Sequence, residues 1–117
     1  YYSQAAGTIN TDWHHLVISH TGTQYNIYLD NANVFTNNYG GNVALITATR
    51  CDIGCRILSG AVNIPFAGLI DEVSIFDYEL LASDVDEIYN ATDLVTDKCA
   101  DLSSMATPPV AWYRMGD

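Results

Sequence analysis

The sequence predicts an all-β protein, an antiparallel two-sheet sandwich with one short helix. Three observations carry this. Apolar and polar residues alternate with period two over 13–20, 24–30 and 66–77, the repeat of a strand with two unlike faces. Short turn-forming segments separate the runs: Thr21-Gly22-Thr23, Asp30 to Asn33, and 37–42,. Only 83–90 breaks to a helical pattern. Many strands with a single helix bury their apolar faces by stacking two sheets around one core.

Each element follows in chain order. Over 13–20, His14, Leu16, Ile18 and His20 share one face, with Trp13, His15, Val17 and Ser19 on the other. Over 24–30, Tyr25, Ile27 and Leu29 form the inward row and Gln24, Asn26, Tyr28 and Asp30 the outward row. The three-residue turn between the runs predicts an antiparallel hairpin. Extended structure resumes at Val34-Phe35-Thr36, and Asn37 to Asn42 is the clearest loop. Short strands are predicted at 43–47 and 51–57, a loop with Gly60 and Pro65 at 58–65, and the longest strand at 66–77,. A helix is predicted at 84–90. Ser83 is its N-cap, Asp84, Asp86 and Glu87 place negative charge in its first turn, and Val85, Ile88 and Tyr89 form its buried stripe,. Leu80 and Leu81 are expected to pack beneath it.

A chain of 117 residues suffices for one core and is short for two domains,. Its 49% hydrophobic content, eight tyrosines and two tryptophans are globular composition,. Fourteen acids against four bases leave a formal charge of −10. That field repels phosphate backbones and anionic lipid, so no nucleic acid is expected as a partner. No run approaches the ~20 apolar residues of a membrane helix, so no membrane insertion is expected. The opening Tyr-Tyr-Ser-Gln has neither Met nor a signal-peptide pattern, which predicts a piece of a larger protein,. Three cysteines make no disulfide framework,. Cys51 and Cys55, ~13 Å apart in a strand, are too far to bridge unless a bulge or turn brings them closer, and either could pair with Cys99, but free thiols are the expectation. No third ligand lies near enough to make Cys51-x3-Cys55 a metal site.

Four motifs in order resemble the C-terminal half of a laminin-G-like (concanavalin A-like) jelly-roll domain. They are Trp13-His14-His15-Leu16-Val17-Ile18, Ile27-Tyr28-Leu29-Asp30-Asn31, Ile53-Gly54-Cys55-Arg56, and FAGLIDEVSIFDYELLASDVDEIYN at 66–90. The resemblance implies a jelly-roll sandwich, incomplete in this sequence, with 1–90 as the C-terminal part of a module. Residues 91–109, polar, aperiodic and ending in Pro-Pro, read as a linker,. Residues 110–117, VAWYRMGD, look like the opening strand of a following module. In whole domains of this family the opening strand pairs antiparallel with the closing IDEVSIF strand. An apolar edge at 69–76 invites such a strand, so 110–115 is expected either to pack back beside 69–76 or to be left as an unpaired start of the next module, with that edge open or paired within a neighbouring copy.

Asp71 is the first candidate site residue. It shares a strand face with Leu69, Val73 and Ile75. If that face is the core, the carboxylate needs a partner or a cation. Related domains often hold a structural Ca²⁺ through an acid in this strand, so the resemblance implies Ca²⁺ as a candidate cofactor at Asp71, against the plainer reading of an acceptor for backbone and Arg hydrogen bonds. His14 and His15 point to opposite strand faces and so do not share a metal ion. Some glycoside hydrolases have this fold and place Glu-x-Asp-x-x-Glu on one strand. No such triplet exists here, so no enzyme activity is expected. Tyr28, Asn38 and Tyr39 are the candidate ligand-binding residues, because rings beside amides suit sugars. Asn90-Ala91-Thr92 is a glycosylation sequon by pattern,.

These readings converge on a non-catalytic binding or adhesion module in a tandem array, extracellular or on a virion surface. Its expected partners are a glycan or cell-surface protein and neighbouring modules of its own chain. Two alternatives are a carbohydrate-binding appendage of a secreted glycoside hydrolase and a purely architectural spacer.

Overall fold

Alternation at 16–20 and 24–29 becomes a tight antiparallel hairpin, from which a third strand follows directly. The structure, a computed structural model, describes residues 10–38, 51–58, 60–91 and 101–114. Strands β1 (Leu16–His20), β2 (Gln24–Leu29) and β3 (Ala32–Asn38) form a sheet of order β1-β2-β3. Val17 stands opposite Tyr28, and Ser19 opposite Asn26. Gly22 closes the first turn at φ 93, and Thr21 donates its N–H to the Gln24 carbonyl at 2.9 Å. The second turn has two residues, Asp30 (φ 48) and Asn31 (φ 68). Positive φ at both positions is the mirror-image turn whose twist matches the strands, and Asp and Asn are the non-glycine residues that best tolerate it.

β3 contains a bulge that its sequence does not advertise. Ile27 pairs with Phe35 but Tyr28 pairs with Asn33, so Val34 is the extra residue. A bulge shifts the face of everything beyond it. Asn33 and Thr36, three apart, therefore lie on one side.

The helix determines which side of the sheet is inside. α1 spans Ala82–Asn90. Its Val85 is fully buried at 0% exposure and joins Leu80 and Tyr28, each 7% exposed, in the core. Val17, Phe76, Tyr78 and Ile88 pack against them. Ser19 Oγ, itself buried, donates to the Leu80 carbonyl at 2.6 Å. The inward face is therefore Val17, Ser19 and Tyr28. This corrects the expected placement of Tyr28 on the outer face: the phenol lies beneath α1, where it cannot stack on a ligand. The opposite face carries Leu16 (62% exposed) and Ile18 (66% exposed), aligned with Leu29 and Ile27. β1 holds apolar residues on each face, and β2 places Tyr25, Ile27 and Leu29 on the outer one, so alternation alone does not identify the inner face.

The helix also begins earlier than its expected cap. Leu81, not Ser83, is the N-cap residue, and no side chain caps from that position. Asp84 reaches back instead, accepting the Leu81 N–H at 2.8 Å. Leu80, anchored in the core, sets the entry point.

Two further corrections concern 51–77. The expected loop at 58–65 contains a hairpin, β4 (Arg56–Leu58) with β5 (Ala61–Asn63), turning at Gly60 (φ 82). The expected long strand shrinks to β6, Val73–Ile75. Within the expected strand, Glu72 (φ 51) takes left-handed backbone that no continuous strand permits, at about 1 kcal/mol. Gly54 shows why the Ile53-Gly54 pair matters. Its φ is 75, a Cβ there would sit 3.0 Å from Ile70 Cδ1, and its carbonyl accepts the Phe66 N–H at 2.7 Å. Cys51 and Cys55 are free thiols. The expected strand at 43–47, Tyr39 and Cys99 lie outside the described residues.

The C-terminal segment is packed where it is described. A single 3-10 turn at Leu102–Ser104 buries Leu102 and is capped by Asp101, which accepts from Ser103 N at 3.0 Å and Ser103 Oγ at 2.5 Å. Those bonds hold the Asp101 carboxyl below the usual carboxylate range. β7 (Ala111–Tyr113) then pairs antiparallel with β6. Half of the segment read as a linker, 101–109, is thus part of the folded body.

Asp30 ties the start of β1 to the β2–β3 turn. Its Oδ2 lies 2.7 Å from His14 Nδ1 and its Oδ1 accepts the His15 N–H at 3.0 Å. The His14 bond, then the His15 bond, lower its carboxyl below the ordinary 3.8. The His15 ring, 5.7 Å from that of Tyr89, is pushed below its ordinary 6.5 by burial, which outweighs attraction to Asp30.

Two outcomes are expected. Val85→Ala lowers unfolding free energy by about 2 kcal/mol in denaturant titration, because a fully buried side chain loses two carbons and leaves a void. For His15, a folded pKa below the unfolded one contributes stability above pH ~6.5 that is lost as pH falls toward the lowered value. Melting temperature is therefore expected to fall from pH 7 to 5 more steeply in wild type than in His15→Phe, as thermal scans would show.

Candidate functional site

The bulge at Val34 assembles a row of uncharged polar side chains. β2 contributes Gln24 and Asn26; β3 contributes Asn33, Thr36 and Asn38. Pairing sets Gln24 opposite Asn38 and Asn26 opposite Thr36, with Asn33 next to Asn26 across the bulge. All five occupy the sheet face that α1 covers at Tyr28, but Asn33, Thr36 and Asn38 are exposed and Gln24 and Asn26 half-buried.

Asn26 is the hub. Its Oδ1 accepts from Thr36 Oγ1 at 2.7 Å, Gln24 Nε2 at 3.1 Å and Asn33 Nδ2 at 3.5 Å. Asn33 is oriented by the backbone: its Oδ1 accepts the Phe35 N–H at 3.1 Å while Nδ2 also reaches Thr36 Oγ1 at 3.2 Å. The carbonyl oxygen of Asn26 is saturated. Among the described residues its Nδ2, Gln24 Oε1 and the Asn38 amide remain unspent. Such a row offers fixed donors and acceptors and no charge, in a chain of net charge −10. It can exchange hydrogen bonds with a polyhydroxylated neutral surface at little cost in side-chain ordering.

Of the sequence-derived candidates, Asn38 lies on this row, Tyr28 lies under the helix, and Tyr39 is outside the described residues. Gln24, Asn26, Asn33 and Thr36 were not singled out from sequence. Polar alternation in β2 was the available signal, but the bulge hides the matching alternation in β3.

Asp71 does not occupy the core. It is exposed, and its Oδ1 accepts the Glu72 N–H at 2.8 Å. The burial premise for a cation there fails because Glu72 turns out of the strand at its positive φ. Among the described residues no three His, Cys, Asp or Glu side chains gather as a candidate metal group. His14 and His15 diverge, with His14 Nε2 on Asn10 Oδ1 at 2.8 Å and the His15 ring turned to Tyr89.

Glu72 is the carboxylate with a built environment. Its Oε2 accepts the Trp112 indole N–H at 2.6 Å, and its Oε1 lies 3.5 Å from Arg114 Nε. Beside the core, Tyr78 donates its hydroxyl to the Thr107 carbonyl at 2.7 Å. Burial, then Asp84, Asp77 and Glu87, raise that phenol above its ordinary 10.

The family model described as the concanavalin A-like lectin/glucanases superfamily, a laminin G model, matches residues 2–86. No curated protein matches significantly. Among solved structures, the chain is similar to a crystal structure of an S-layer domain-containing protein (its residues 221–444) from Clostridium thermocellum. The TM-score is 0.62 at 22% identity, over 72% of this chain and 42% of that one. At that identity the likeness concerns the fold, and this chain spans about two fifths of the solved one. Antiparallel sheets, one helix and a family match over most of the chain lead to one assignment: the chain belongs to the concanavalin A-like lectin/glucanase superfamily, in its laminin-G-like branch.

Proposed function

We propose that this chain is a non-catalytic recognition module that works outside the cell and binds neutral glycans across the Gln24–Asn26–Asn33–Thr36–Asn38 row. The observation that carries the reading is the Asn26 hub, which holds neighbouring amides in place while leaving donors and acceptors unspent. Neutral amides suit sugar hydroxyls, whereas an acidic chain disfavours phosphate or sulfate ligands.

Membership of a superfamily that includes lectins supports this reading. That the solved neighbour is an S-layer domain-containing protein supports the extracellular of the two expected locations. The same superfamily includes glucanases, but glycoside hydrolysis needs two carboxylates flanking the scissile bond, and the row contains none. Used as an appendage of a secreted hydrolase, the module would bind in the same way.

Asn26→Ala is expected to weaken binding of a neutral oligosaccharide at least tenfold, equivalent to about 1.4 kcal/mol, with unchanged circular dichroism. Calorimetry on the whole chain against neutral and sulfated oligosaccharides makes the test. Binding to none of the neutral sugars, or equal affinity of wild type and Asn26→Ala, would overturn the proposal.

A further inference from the structure

The β6 edge holds β7 through contacts separate from the amide row. β7 is held there by its backbone and by its side chains. Val73, Ser74 and Ile75 pair with Tyr113, Trp112 and Ala111, and Val110 adds an N–H to the Ile75 carbonyl at 2.8 Å. Glu72 then reads which strand has docked. One oxygen takes the Trp112 indole N–H, the other faces Arg114, and the Arg114 guanidinium carbon sits 5.0 Å from the centre of the Trp112 ring. Trp-x-Arg on an edge strand is thus matched by donor, charge and stacking together. Asp71 supports the device by accepting the N–H of Glu72 at its left-handed position.

The docking is local. Three residue pairs form a two-stranded sheet, a size that is marginal alone, and β7 lies about twenty residues beyond the end of α1. Nothing in the match between slot and strand depends on their sharing one chain. We propose that the β6 edge with Glu72 is a strand-acceptor slot for residues 110–114 of a second copy of this chain. Copies then exchange strands, with cis docking favoured when dilute and trans docking when crowded. Slot and strand are different surfaces of one copy, so the contact is head-to-tail and can extend into open chains.

The test uses the full chain with Cys51, Cys55 and Cys99 replaced by Ser. One variant adds Val73→Cys, a second adds Tyr113→Cys, these positions being directly opposed, and a control adds Thr11→Cys. Oxidation of the first two, mixed at rising concentration, is expected to yield a disulfide-linked mixed dimer at least fivefold above that formed with the Thr11→Cys control. Adding Glu72→Gln to the Val73→Cys chain should cut that yield severalfold. A mixed-dimer yield at millimolar concentration no greater than the control would overturn the proposal. If either variant fails to fold, the wild-type chain is titrated with a fluorescent peptide of residues 108–117. Saturable binding that Trp112→Ala in the peptide abolishes supports the slot, and no binding at millimolar concentration rejects it.

Discussion

Burial of Val85 and Leu80 against Tyr28 decides which side of the β1–β2–β3 sheet is interior. Both sides of that sheet contain enough hydrocarbon to be a core, and the helix selects one. Its selection is reinforced by hydrogen bonds around the contact. Ser19 satisfies the Leu80 carbonyl inside the core, Asp84 satisfies the Leu81 N–H, and Asp86 accepts from Asn31 of the turn at 2.6 Å and from Asn90 at 2.9 Å. A buried polar group without a partner would cost about 1–3 kcal/mol, so these bonds determine where the helix can sit. With α1 over β1 and the inner part of β2, the polar remainder of the same face is left beside it as the amide row.

Much of this was legible in the residues, and what was not has identifiable causes. The β1–β2 hairpin follows from strict alternation around Thr21-Gly22-Thr23, and the Asp30-Asn31 turn from side chains that tolerate positive φ. The helix was legible in its apolar stripe, but not in its start, because Leu81 is capped from within the helix by Asp84 rather than by Ser83. Alternation over 66–77 describes side-chain order, not the presence of a partner strand, and the backbone leaves extended structure at Glu72. The amide row was half visible. Gln24 and Asn26 stood out as polar alternation in β2, while their β3 partners were displaced by the bulge at Val34.

Several acids among the described residues serve as acceptors for N–H and O–H groups. Asp71, Asp84 and Asp101 each accept a backbone N–H within three residues, Asp30 takes His15 N, and Glu72 takes an indole. With four bases against fourteen acids, ion pairing could not have used them. Short-range capping is the economical alternative, since a carboxylate makes stronger hydrogen bonds than a neutral acceptor. The excess charge is thereby spread along turns and helix ends, and the row on β2 and β3 stays free of it.

The two-residue turn at Asp30 and Asn31 has a consequence for how the module can diversify. Side chains alternate every residue, so a one-residue slip of β3 against β2 exchanges the two faces of the strand. An insertion between Leu29 and Ala32 would bring Phe35 to where Thr36 stands and turn a wettable surface into an oily one. Point substitutions at Gln24, Asn33 or Asn38 leave that geometry intact. Heritable change in what this surface touches is therefore open through exchange of side chains and closed through change of length.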